Sequence, residues 1–166
     1  MKNGGTAEYD AIKGYYYTAK DNAERKYVLN NLGYTPDEKL KLATMDWTTS
    51  GEVKLQDFFY TMGSVSGSSK RGKEITWKYF QDNFDRLCEM LKAASPSLMS
   101  AVIVMCSGGF CSEAMADEID KFFEVHPLPN NSRRIAQMTE NMRANGKFLK
   151  NLQASTLGTQ AFWDNL

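Results

Sequence analysis

The sequence predicts an all-α fold, a superhelical stack of antiparallel helix pairs of the HEAT or armadillo kind. Three observations carry that expectation. Apolar residues recur at spacings of three and four in several segments, most clearly Trp77, Phe80, Phe84, Leu87, Cys88 and Leu91. Each such segment is preceded by a helix-start signal and followed by a glycine or proline. No β-hairpin signal interrupts them, and no fixed repeat length emerges, so the stacked-pair expectation rests on architecture rather than on a sequence period.

Taken in order, Asp21-Asn22-Ala23-Glu24 has the form of a capping box, with Gly33 suited to a left-handed helix end. Thr35-Pro36-Asp37-Glu38 opens the next helix, with a capping hydroxyl and proline at the first helical position, and Leu40, Leu42, Met45 and Trp47 as its apolar residues. A short helix is expected from Leu55 to Met62, then a polar loop from Gly63 to Gly72. One strong helix should run from Lys73 to Leu91. Ser95-Pro96 opens another, closed by Gly108-Gly109. Ser112 begins a helix burying Met115, Ile119, Phe122 and Phe123 that stops before Pro127 and Pro129. A long helix from Ser132 to Leu152 and a short one around Gln160–Trp163 complete the set.

The chain has 166 residues, 42% hydrophobic and 24% charged, which suits one ordinary globular domain spanning residues 1–166. Twenty basic residues balance twenty acidic ones, so no net field points to nucleic acid or an anionic membrane. The longest apolar stretch, Ala101–Cys106, is far below the roughly 18 residues of a membrane span. The opening residues lack the apolar run of a signal peptide. Cys88, Cys106 and Cys111 are odd in number and irregularly spaced, as free thiols of a reducing compartment are. Together these features lead to the expectation of a soluble cytoplasmic protein.

Few residues point to chemistry. Gly67-Ser68-Ser69-Lys70-Arg71-Gly72-Lys73-Glu74 follows the spacing of a phosphate loop but places Glu74 where a magnesium-binding hydroxyl is needed. A turn before a helix explains it equally well. His126 is the only histidine, so a zinc site of the HExxH type, which needs two, cannot form. A Cys3His cluster or a Cys–His nucleophile would need spacing the cysteines lack; buried structural thiols explain them better. His126, just before Pro127, reads as a helix terminus. Two groups are candidate peptide or partner contacts. Lys70, Arg71 and Lys73 could attract a carboxylate at a helix start, and Tyr15 and Tyr16 could stack on a peptide. For each group the plainer alternative is a solvated turn, or a tyrosine run with at least one member in the core.

Several segments, in order, carry a resemblance. Glu52-Val53-Lys54-Leu55-Gln56-Asp57 precedes the glycine-rich stretch Met62–Lys73 and then Trp77-Lys78-Tyr79-Phe80 with Asp82-Asn83-Phe84. Ala116–Pro127 contains Lys121-Phe122-Phe123-Glu124-Val125-His126-Pro127, and Glu140-Asn141 precedes Phe148-Leu149-Lys150. This order resembles the C-terminal domain of the puromycin-sensitive zinc aminopeptidases, with its E-V-R-x-Q-D, A-W-x-F-x-x-x-N-W, E-V-K-x-F-F-E-S-H-P and terminal E-N…W-L-K elements. Phe84 stands where that family usually has tryptophan. Lys2–Thr6 and Val28–Gly33 extend the likeness over nearly the whole chain.

The resemblance implies a non-catalytic part of a larger enzyme. The family's zinc ligands, its G-A-M-E-N motif and the first half of its helical domain have no counterpart here. Zinc and catalysis would belong to the parent's catalytic domain, and this chain would hold no cofactor. Its implied role is a lid or scaffold that walls the substrate chamber and admits peptides rather than folded proteins, with the catalytic domain and the peptide as partners. An apolar face at the N-terminal end, normally covered by preceding helices, would favour self-association of the isolated chain. The reading from a different class is a stand-alone helical-repeat module that binds a partner protein.

Overall fold

A computed structural model describes residues 1–165, and these divide into two compact units, Met1–Ser107 and the residues from Gly108 onward. Among the described residues every regular element is helical.

The first unit contains α1 (Thr6–Thr18), α2 (Asn22–Leu32), α3 (Glu38–Thr48), α4 (Phe59–Ser68), α5 (Lys70–Asp82), α6 (Phe84–Leu91) and α7 (Pro96–Ser107). Successive helices pair, α1 with α2 and α4 with α5, as the stacked-pair architecture requires. α4 is the hub and touches α2, α3, α5 and α7. Its Met62 and Val65 are fully buried, together with Leu29, Leu32, Met45, Phe80, Leu87, Val102 and Ile103 from the surrounding helices. Each such side chain contributes roughly 1.5–3 kcal/mol through removal from water.

The caps partly follow the sequence signals. Asp21 accepts from the Glu24 N–H at 2.9 Å, but the Glu24 carboxylate reaches back one residue further than expected, to the Lys20 N–H at 2.8 Å. Asp37, rather than Thr35, caps α3, accepting from Lys39 and Leu40 at 2.7 and 3.3 Å. Pro36 therefore lies outside the helix and not at its first position. Within α3 Met45 and Trp47 are buried as expected, whereas Leu42 is exposed and Lys41 is buried in place of a leucine.

Four further expectations in this unit need correction. The short helix expected from Leu55 to Met62 instead runs from Phe59 to Ser68. Gly33 is not left-handed; its φ of −67° is ordinary helix geometry. Glycine is required there because a Cβ would lie 2.3 Å from Ser64 Oγ and 2.5 Å from Val65 N. The stretch from Gly63 to Gly72 is not a loop. It forms the last turns of α4 and the first turn of α5, separated only by Ser69 in extended conformation. Glycine and serine are poor helix formers in isolation, yet here their small side chains allow the helix to approach its neighbours closely, and burial outweighs propensity. The expected helix from Lys73 to Leu91 begins earlier, at Lys70, and breaks at Asn83. The Asn83 side chain donates to Tyr79 O at 2.9 Å and so takes over part of the helix end. The apolar stripe survives the break. Trp77, Phe80, Phe84, Leu87 and Leu91 are all buried, and Cys88 is half-buried.

The second unit contains α8 (Glu113–Val125), α9 (Ser132–Ala154) and α10 (Gln160–Trp163), with short 3₁₀ turns at Pro129–Asn131 and Thr156–Gly158. Gly109, at φ 78°, occupies the left-handed region that a side chain disfavours. Ser112 caps α8 through the Met115 N–H, as expected. α8 buries Ala116, Ile119 and Phe123, with Met115 and Phe122 half-covered at the edge of the stripe. Facing them, α9 buries Ile135, Met138 and Met142. The His126 N–H closes α8 on Phe122 O at 2.9 Å, and its ring lies 4.5 Å from the Phe122 ring.

Candidate peptide-contact surface

The basic residues predicted as contacts fall on the first turn of α5. Ser69 caps this turn by accepting from the Gly72 N–H at 2.9 Å. Lys70 and Arg71 are exposed, and Lys73 is half-buried. Arg71 grips Glu38 on α3 through a two-pronged fork, Nε to Oε1 at 2.8 Å and Nη2 to Oε2 at 3.0 Å, and reaches Glu74 at 3.3 Å. That fork holds the Glu38 carboxyl below its ordinary pKa, and the two carboxylates raise that of Arg71 further.

The phosphate-loop spacing has no matching geometry. Gly67 and Ser68 close α4, and Gly72 is required because a Cβ there would lie 2.2 Å from Val65 O. These residues make a tight helix-to-helix corner.

The tyrosines separate by face. Tyr16 belongs to the core, 7% exposed, its ring edge-on to Trp47 at 5.1 Å. Tyr15 and Tyr17 are about half exposed. Tyr17 is tied to Glu52, and its hydroxyl accepts from Trp47 Nε1 at 2.8 Å, while Lys13 sits 5.0 Å over the Trp47 ring.

Arg71 lines one of two clefts that share residues. The smaller, about 380 Å³, is lined by Lys2, Tyr34, Thr35, Pro36, Glu38, Lys41, Ser68, Ser69 and Arg71. The larger, about 1070 Å³, takes in Lys2, Glu8, Ile12, Tyr27, Asn30, Asn31 and Tyr34. Lys2 and Tyr34 belong to both, and the Lys2 ammonium lies 5.4 Å over the Tyr34 ring. Of the predicted contacts, only Arg71 lines this surface; Lys70, Lys73, Tyr15 and Tyr16 do not. The Lys41 ammonium forms the inner wall of the smaller cleft. It donates to Gly33 O at 3.2 Å, to Thr35 O and to Ser68 Oγ at 3.0 Å, joining the α2–α3 corner to the end of α4. Burial depresses its pKa, opposed by the Glu38 charge.

Sequence reasoning missed Lys2, Tyr34 and Lys41. The first two become neighbours only when the N-terminal residues meet the end of α2. Nothing local distinguishes Lys41 from the exposed Lys39 two positions earlier. The surface thus offers cations, hydroxyls and aromatic rings, groups that bind polypeptide through hydrogen bonds, charge and stacking.

None of the three thiols is among the residues lining either cleft. Cys106 is fully buried with Sγ 3.3 Å from Met62 Sδ, and burial pushes its pKa up strongly. Cys88 is also shifted up, by burial and then by Asp85. Cys111 is exposed on the second unit. Among the described residues no three His, Cys, Asp or Glu side chains cluster as metal ligands would, and no helix is long and apolar enough to cross a membrane.

The sequence profile of the ERAP1-like C-terminal domain matches residues 1–144, most of the chain. The chain belongs to this family. Relatives of this ERAP1-like C-terminal domain agree. Aminopeptidase M1-B of Oryza sativa subsp. japonica is 26% identical over 148 residues, 89% of this chain and 16% of the relative. Aminopeptidase 2, mitochondrial, of Saccharomyces cerevisiae is 25% identical over 88% of this chain and 15% of its own length. Aminopeptidase M1 of Arabidopsis thaliana is 24% identical over 92% and 17% respectively. The chain therefore spans about a sixth of the length of these relatives. The aminopeptidase C-terminal domain expected from the motif order agrees with this match.

Proposed function

We propose that this chain is the C-terminal helical domain of a cytoplasmic zinc aminopeptidase of the puromycin-sensitive type. In this reading it walls the substrate chamber and confines entry to peptides, while zinc and catalysis reside in the catalytic domain of the same polypeptide. The single observation that carries the proposal is the match of residues 1–144 to a domain family whose relatives here are named aminopeptidases. Wall and lid roles act by excluding water and large substrates and by engaging the part of the peptide distant from the scissile bond. The two joined clefts supply a surface for that engagement, with Arg71 and Lys2 as cations for an acidic or C-terminal peptide group and the Tyr34 ring beneath the Lys2 ammonium. Arg71 is presented by Glu38, so its direction is set before any ligand arrives. Lys70 and Tyr15, exposed outside the clefts, and the half-buried Lys73 are further partner contacts in this reading.

The test uses the parent enzyme, recovered from the transcript upstream of Met1. An in-frame HExxH with its downstream glutamate is expected. Lys2→Ala combined with Arg71→Ala should raise KM for peptides by about tenfold or more, since each charge-assisted hydrogen bond lost is worth about 1.5–3 kcal/mol. The same pair should leave hydrolysis of a single-residue aminoacyl anilide within twofold. Equal losses on both substrates would overturn the contact role. A transcript coding for no catalytic domain would overturn the aminopeptidase reading and leave a stand-alone helical binding module. The isolated chain should bind no stoichiometric zinc and hydrolyse no anilide; activity that copurifies with it would show catalysis within the chain.

A further inference from the structure

We draw no further inference here: the strongest candidate, the apolar groove of the first unit lined by Leu55, Phe59, Leu98 and Ala101 between the 54–59 segment and α7, carries nothing because nothing in the structure shows what covers it.

Discussion

Helices α8 and α9 of the second unit meet through an apolar stripe, Ala116, Ile119 and Phe123 against Ile135, Met138 and Met142. Their rim is closed by Arg143, which bridges Asp117 at 2.6 Å and Asp120 at 2.8 Å. Helix α4 of the first unit meets its neighbours differently. Three glycines mark its close contacts, Gly33 before it, Gly63 within it and Gly72 after it, and at each an added Cβ would lie under 3 Å from a neighbouring atom. Around that hub the core also contains hydroxyls that satisfy one another, Thr48 with Thr61 at 2.8 Å, Tyr9 with Thr44 at 2.8 Å and Thr49 with Tyr79 at 3.0 Å. The contrast teaches that one chain can join helices either by filling space with large side chains or by removing side chains until backbones approach. The first kind tolerates loss of volume poorly; the second tolerates gain poorly.

Substitutions can separate the two kinds, and the largest effect is expected in the stripe. Ile119→Ala should cost roughly 3–4 kcal/mol, read from faster hydrogen exchange at the α8 and α9 amides. A cost below about 1 kcal/mol would mean the second unit does not depend on its stripe. In the first unit Gly72→Ala adds a single methyl and should cost about 3 kcal/mol by urea denaturation, because the neighbours it meets include the Val65 carbonyl. The control is Gly14→Ala in α1, where a Cβ meets nothing within 4 Å and helix propensity alone should stabilise by up to about 1 kcal/mol. Similar signs at both positions would break the close-approach account of α4.

Tyr79→Phe tests the hydroxyl network more gently. That oxygen pairs with Thr49 Oγ1, donates to Asp46 Oδ1 at 3.0 Å and accepts from Arg86 Nη2 at 2.8 Å. Its removal should cost about 1–2 kcal/mol, since Arg86 keeps Thr49 and Asn83 as partners. A neutral result would mean that packing alone holds the first unit.

The smallest effect belongs to the exposed fork. The hydrogen bonds from Arg71 lower the Glu38 pKa in the folded chain, so the stabilisation is fully present above the ordinary glutamate pKa and disappears as pH falls through the lowered, folded one. The stability difference between the natural chain and Glu38→Gln should therefore shrink to nothing on acidification and weaken with added salt. A difference that grew below pH 4 would contradict the fork.

The second unit and the α5–α6 stripe could be read from the sequence because their apolar side chains recur at three and four and have no other arrangement that buries them together. Asp21 and Ser112 could be read as caps because a single short polar residue precedes each helix. Thr35-Pro36-Asp37 could not be resolved in the same way, since threonine and aspartate both cap well and two residues separate them. The segment from Gly63 to Ser68 lacks any local preference for helix, and its helicity comes from what surrounds it. The clefts were hidden for a related reason. Arg71 stood out as a cation after a serine turn, but Lys2, Tyr34 and Lys41 join it through contacts across 27 or more positions, such as Lys41 with Ser68.

By itself the sequence determined that the chain is helical, where α2, α7, α8 and α9 begin, and, through the order of its motifs, to which family it belongs. Only the tertiary structure decided that the glycine–serine run is a buried helix, that the helix after it breaks at Asn83, and that Arg71 is committed to Glu38 beside a cleft. Periodicity and caps act within a turn or two of helix, so they are written locally. Close approach, buried charge and a shared cleft depend on which distant backbone arrives at a given side chain, and that is settled only when the helices pack.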